Sequence, residues 1–495
     1  VAGHGDGALR LIALLYLVLA TLYALVTPAW QAPDEPAHFN YVKYVAERGS
    51  LPELQPGDYD AEYLERIKAA RFPADMSIDP IRYESHQPPL YYLLASLVYR
   101  LGDALVPLPV YLTLRLFSVL LGAVALSLTY RIVRVLFPDQ PPIALGAAVF
   151  WGTLPMHLSM VSAINNDVLS ELLLSYIVLK LVSMRSSAWT ARRAIGLGAA
   201  LGLALLVKFQ SYAALGVALC ALAYDVWRTR GCAARLTVAR ALRYAVIMLG
   251  TALLISSPWL VRNVTLYGLR DPFGLVRHAE VVAGQLTTAE YISQRGLLGW
   301  LDALVRTTFH SFWGQFGWMG VPLPSRVYQV LGILSGVTAL GLCASAVRLW
   351  RRKEPLPAAT RRGLVLLAVW AAIALAGYLW WNLQYVQHQG RYLFPALPAW
   401  ALAFALGLRA VLGRSHRVAL VGLGIAAVAL VVAGMLAADL PGFGLASLAV
   451  SAALIVLGHW VEVRKPGLAQ VAVYASLAVF AALCLYAYIA PALAL

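Results

Sequence analysis

Long apolar runs, separated by short polar stretches rich in arginine and lysine, recur along this chain from one end to the other. About thirteen of these runs approach the length a helix needs to cross some 30 Å of hydrocarbon. They fall at 9–29, 111–135, 141–161, 167–184, 194–208, 210–226, 242–260, 327–349, 363–381, 393–411, 417–437, 443–462 and 468–492. A further stretch, Pro88 to Leu108, holds only about eleven clean apolar residues before Arg100 and Asp103, which suits an interfacial helix better than a span. Three intervening segments are more than simple turns: 30–110, 259–326 and the short polar stretch 382–391. Inside the first, the spacing of Phe39, Val42, Val45 and Ala46 predicts a short helix lying along the membrane. Tyr63, Leu64, Ile67 and Ala70 share a face and predict another between Tyr59 and Phe72. The pattern therefore describes an all-α, polytopic membrane protein with juxtamembrane helices in its first large loop.

Composition agrees, with 61% hydrophobic and 13% charged residues and a mean hydropathy of +0.71. A net charge of +15 invites a nucleic-acid reading, but the location of the charges argues otherwise. Six segments on one side of the predicted topology carry 22 of the 39 lysines and arginines against four acids, the positive-inside signature. The N-terminus is then expected in the cytoplasm and the three larger loops outside, so the basic excess is topological and no nucleic-acid partner is expected. The four cysteines, Cys220, Cys232, Cys343 and Cys484, have no metal-ligand spacing. Residues 1–416 read as one catalytic membrane domain and 417–495, poor in polar groups, as peripheral helices. The first run, with Arg10 ahead of it, reads as a retained anchor. Gly196-Leu197-Gly198 and Gly422-Leu423-Gly424 faintly match dinucleotide fingerprints, but inside apolar runs they predict close helix packing.

Candidate chemistry gathers at the outer interface. Asp34 and Glu35 stand where the first span meets water, and carboxylates near lipid need solvation or a task. Asp34-Glu35-Pro36 also reads as a helix start, with an acid at the cap and proline in the first turn. The same sidedness brings Lys43, His86, Gln87, Asp167, Arg262, His388, Arg391 and Tyr392 to this face. Carboxylates with arginines and histidines suit an anionic phosphate donor and a nucleophile that must lose a proton.

Three motifs carry a resemblance. Pro33-Asp34-Glu35-Pro36-Ala37-His38-Phe39, Pro88-Pro89-Leu90-Tyr91-Tyr92 and the run Arg391 to Pro398 resemble the GT-C superfamily of polyprenyl-phosphate-sugar-dependent glycosyltransferases, which includes protein O-mannosyltransferases and lipid A aminoarabinose transferases. The first motif and Gln389-Gly390-Arg391-Tyr392 look most like a bacterial branch of it. The resemblance implies an inverting enzyme that moves a monosaccharide from an undecaprenyl-type phosphate to a glycolipid, glycan or protein acceptor outside the cell membrane. By the same resemblance Asp34, with Glu35, supplies the general base. Arg391 is the favoured phosphate ligand, supported by Arg262 and His86, because His86-Gln87 stand where the aminoarabinose transferases carry lysine. Members of the superfamily work with or without a divalent cation, so either no cofactor is expected or Mg²⁺ or Mn²⁺ on Asp34, Glu35 and Asp167.

Two other classes fit a polytopic protein. A lipid-linked-sugar transporter should bury charges near the midplanes of several spans, whereas here Glu171, Lys208 and Arg115 lie near outer ends. An O-antigen-type polymerase or ligase should rely on outer-loop arginines and histidine rather than on a first-loop acidic pair. The aromatic run Phe312 to Trp318 suits either a substrate groove or an interfacial belt.

Overall fold

Every apolar run forms helix in the computed structural model, which describes residues 2–230, 236–351, 356–437 and 439–494. Cys232 and parts of two basic loops lie outside the described residues. The chain begins with α1 (Ala2–Val26) and two helices of the first large loop, α2 (Glu35–Arg48) and α3 (Ala61–Ala69). Next come α4 (Leu90–Leu105), α5 (Val110–Leu136), α6 (Pro141–Thr153), α7 (Pro155–Val161), α8 (Asp167–Ser183), α9 (Ala191–Leu205), α10 (Ala213–Arg228) and α11 (Val238–Tyr267). The second large loop holds α12 (Leu275–Val281) and leads into α13 (Thr288–Trp313), whose end meets a small hairpin of β1 (Gln315–Phe316) and β2 (Val321–Pro322). The remainder is α14 (Ser325–Trp350), α15 (Ala358–Asn382), α16 (Leu397–Leu412), α17 (His416–Ala437), α18 (Gly442–Arg464) and α19 (Leu468–Leu483).

Among the described residues ten helices are long and apolar enough to cross a membrane, or eleven if α6 and α7, bent by 67° at Leu154, form one broken span. The other two expected runs, 167–184 and 194–208, are α8 and α9, of only 17 and 15 residues. These two fall short of the roughly 20 residues of a typical crossing. The physical reason is that α9 stops at Leu205 and the chain turns through Lys208 into a short 3₁₀ segment, Phe209–Tyr212, before α10. Gly198 and Gly202 of α9 lie against the α11 backbone at Met248 and Ala252, where a Cβ would collide, so the glycine run serves helix packing. Helices α17 and α18 pack on α14 and α16 and leave much of their apolar surface outward.

The first large loop is tied into the bundle by polar contacts. Asn40 donates to the Ile78 and Ile81 carbonyls, the Tyr41 hydroxyl to the Gln87 carbonyl, and the Tyr41 and Tyr92 rings stack 3.6 Å apart. Arginines of the second loop hold the first: Arg262 donates to the Leu51 and Pro52 carbonyls and Arg277 to the Leu54 carbonyl. The hairpin joins in, since Trp318 donates to the Trp30 carbonyl at 2.9 Å and stacks on Phe72.

Two buried ion pairs clamp the helices. Arg362 of α15 grips Asp225 of α10 through both carboxylate oxygens at 2.7 and 2.8 Å, with Trp189 donating to the same carboxylate. Arg115 of α5 grips Glu35 likewise at 2.7 and 2.6 Å, and its remaining N–H groups reach the Ala24, Thr27 and Pro28 carbonyls. Removing one member of such a pair leaves a bare charge inside. Arg115→Met should cost about 3–5 kcal/mol of stability, read as a lowered melting temperature in detergent, and a second change, Glu35→Leu, should recover part of it. An unchanged melting temperature for the single variant would contradict this account.

Candidate active site

Asp34 occupies the N-cap position of α2 but does not cap it. Its backbone adopts φ 67°, a left-handed conformation that aspartate tolerates better than most residues, and its side chain makes no hydrogen bond to the helix. The carboxylate instead accepts from Arg391 at 2.7 Å and from the Tyr83 hydroxyl at 2.8 Å. The helix-start reading of this motif thus explains the position of Asp34 but not the direction of its side chain. Burial pushes the carboxyl up, but the charge of Arg391, nearby His38 and the Arg391 and Tyr83 hydrogen bonds outweigh it and hold the group at about 2.

Arg391 is placed by the residue before it. Gly390 sits so close to the α13 backbone at Thr308 and Phe312 that a Cβ would collide, and its N–H donates to Ser311 Oγ at 2.7 Å. The guanidinium emerges from the following 3₁₀ turn, Gly390–Ala396, near the Tyr392 ring, and its Nε has no partner among the described residues. Asp167, at the first turn of α8, bonds Lys208 at 2.7 Å and lies within electrostatic reach of Arg391 and His38. The site is thus two carboxylates and two cations from four distant segments. Asp34, Asp167 and Lys208 keep 26%, 23% and 16% of their side-chain surface open, so the cluster is shielded yet reachable.

Several residues expected at the site serve elsewhere. Glu35 points inward, wholly buried, and accepts from Arg115 and from the Trp30 and Ile164 backbone amides, so it is a structural anchor. Arg262 is spent on the loop carbonyls and on the Trp259 ring. His388 bonds Asn382 at 2.8 Å beside Trp300 and Tyr291, and Lys43 pairs with Asp79 at the surface. His86 lies tilted against His278, 4.1 Å between centroids, and bonds the Tyr83 carbonyl, while burial and then His278 push its imidazole well below its ordinary pKa. Gln87 accepts from Asn166 and so helps shape the turn before α8. Tyr392 stays beside Arg391.

The sequence reading had not assigned Lys208, Tyr83 or Arg115 to this site. A lone cation at the mouth of an apolar run is the signal that marks Lys208 and Arg115; Tyr83 has no comparable signal. Asp34, Glu35 and Asp167, the expected divalent-cation ligands, do not converge on one point. Each faces a different cation, and no group of three metal-ligating side chains converges among the described residues.

The bundle with its interfacial first loop has the GT-C fold of polytopic membrane proteins. The apo structure of ArnT from Cupriavidus metallidurans aligns with it at a TM-score of 0.50 and 16% identity, covering 99% of this chain and 76% of that one. The chain belongs to the family described as "Predicted membrane protein (DUF2142)", whose model matches residues 69–400. ArnT bound to undecaprenyl phosphate aligns over 98% of this chain and 76% of its own at a TM-score of 0.48 and 16% identity. An Archaeoglobus fulgidus oligosaccharyltransferase tethered to an acceptor peptide aligns over 96% of this chain and 55% of its own, at 0.46 and 14% identity. No curated protein matches the chain in sequence.

Because the folded Asp34 carboxyl lies at about 2, below its unfolded value of about 3.9, the pair's stabilisation is fully present above the unfolded value and is lost as pH falls through about 2. The gap in melting temperature between wild type and Asp34→Asn should therefore stay constant from pH 5 to 8 and close only below roughly pH 3. A gap that closes near neutrality would contradict the pairing with Arg391.

Proposed function

We propose that this protein is an inverting glycosyltransferase that moves a monosaccharide from a polyprenyl phosphate to an acceptor at the outer face of the membrane. The observation that carries the reading is the Asp34–Arg391 contact of 2.7 Å, a carboxylate turned away from its helix to face a cation placed by a tight glycine turn. The likeness of fold to apo ArnT is consistent with it.

Arg391 and Lys208 supply the positive charge that a phosphate diester needs, and phosphate leaves without protonation once its charge is held. While paired with Arg391, Asp34 is a weak base. A donor phosphate on Arg391 takes over that partner, and the freed carboxylate, half-shielded from water, becomes more basic. The acceptor hydroxyl or amine then gives its proton to Asp34 as its lone pair attacks the anomeric carbon. The bond from that carbon to the phosphate oxygen breaks, its electrons stay on polyprenyl phosphate, and configuration inverts. Cations of the chain itself do the work a divalent ion would do.

The test is release of polyprenyl phosphate from a panel of polyprenyl-phosphate monosaccharides in the presence of native membrane acceptors. Asp34→Asn should lower turnover by about 10²–10⁴-fold while donor binding persists. Arg391→Gln should chiefly weaken binding of the donor. Equal turnover by wild type and Asp34→Asn would remove Asp34 from the chemistry, and no consumption of any donor would reject the transferase.

A further inference from the structure

Glu84 is the one acid of the Glu84-Ser85-His86-Gln87 segment, and it sits in the 3₁₀ turn Tyr83–His86 directly after Tyr83, the hydroxyl donor to Asp34. Only 9% of the residue is exposed, and its Oε2 is buried without a hydrogen-bond partner among the described residues. Among the described residues it has no ion-pair partner, since the nearby cations Lys208 and Arg391 face Asp167 and Asp34. A buried acceptor left unpaired costs folding free energy, so a chain that keeps one needs another use for it. The turn carries it next to Tyr83, which bonds Asp34, and its charge is within electrostatic reach of His38, Tyr92 and Lys208.

A second unpaired acceptor lies nearby. The Asn166 side chain donates to the Gln87 amide oxygen at 3.2 Å and to the Val207 carbonyl at 2.9 Å, while its own Oδ1 is buried without a partner among the described residues. Gln87 follows Glu84 by three residues in the same turn, and Asp167 follows Asn166 directly. The site thus holds N–H donors on Arg391 and Lys208, and the segments that carry Tyr83 and Asp167 hold two buried oxygens unpaired among the described residues. A sugar phosphate has the complementary polarity: acceptor oxygens on the phosphate and, one bond away, a ring of hydroxyl donors.

We infer that Glu84, with Asn166 beside it, is the subsite that reads the donor's sugar, accepting hydrogen bonds from hydroxyl or amino groups of the monosaccharide while Arg391 and Lys208 hold its phosphate. This rests on the glycosyltransferase reading above and adds the residue that distinguishes a sugar-bearing lipid from the bare polyprenyl phosphate left after transfer. Glu84 is a specificity residue and takes no proton from the acceptor.

The experiment compares binding of bare polyprenyl phosphate with that of a panel of polyprenyl-phosphate hexoses and pentoses, for full-length wild type and Glu84→Gln. Wild type should bind at least one sugar-bearing lipid more tightly than the bare phosphate. In Glu84→Gln that preference should shrink by roughly 10- to 100-fold while affinity for the bare phosphate holds, because one charge-assisted acceptor is lost. The melting temperature of Glu84→Gln should stay level or rise, since no internal bond is broken. An undiminished sugar preference in the variant overturns the inference, whether a trapped water or nothing at all satisfies Glu84. A drop in melting temperature with the preference intact also overturns it, by showing a structural role. If wild type binds bare polyprenyl phosphate but prefers no sugar, the subsite is rejected and the phosphate site survives; if it binds neither lipid, the transferase reading falls and the subsite with it.

Discussion

Burying a carboxylate and a guanidinium where a span leaves the membrane is tolerable only if nearly every lone pair and N–H is answered, and Glu35 with Arg115 meets that condition. The carboxylate takes both forks of the guanidinium and two backbone amides, while the guanidinium's other donors close on the carbonyls that end α1. One contact thereby fixes the end of α1, the start of α2, the N-terminal part of α5 and the turn before α8. Neighbouring residues on a helix start cannot share one direction. With Glu35 locked inward, and the backbone turned through a positive φ at Asp34, the preceding carboxylate is presented to the opposite side. The anchor makes the adjacent acid available.

The remaining pieces of the site are held by similarly rigid means rather than by the flexible loops that carry them. Gly390 lets the tenth apolar run press against α13 and so sets the origin of Arg391. The break between α9 and α10 leaves Lys208 at the mouth of the bundle, opposite the first turn of α8. The loop carbonyls at 51–54 are bound by Arg262 and Arg277, which accounts for two of the arginines that crowd the second large loop. Preorganised charges in a half-shielded interface act more strongly on a phosphate than the same groups would in water. The pairing with Arg391 also holds the Asp34 carboxyl below its ordinary range.

Much of this was legible in the chain. Apolar run lengths located the helices, and the motifs around Asp34 and Arg391 carried the GT-C resemblance. Division of labour between Asp34 and Glu35 was not legible, because two adjacent carboxylates look alike until a backbone dihedral separates them. Arg115 lies 80 residues from Glu35 and Arg391 lies 357 from Asp34, so no local pattern announces either pairing. Arg262 and His388 looked like ligands because their partners are backbone carbonyls, aromatic rings and an asparagine, which leave no charged signature in sequence. Helix α8 matches its run to within one residue, whereas α9 lies three residues earlier than its run, because Arg192 and Arg193 mask a helix start that Thr190 caps and the apolar composition continues past Leu205.

The central claim is that Arg391 belongs to Asp34 in the empty protein and to a lipid phosphate in the loaded one. Its most direct test is an experimental structure of the protein with bound polyprenyl phosphate. The account predicts a phosphate oxygen within hydrogen-bond distance of Arg391, with the Asp34 carboxylate withdrawn from its present 2.7 Å contact and open toward the acceptor side. A phosphate seated elsewhere, with the Asp34–Arg391 pair intact, would contradict it.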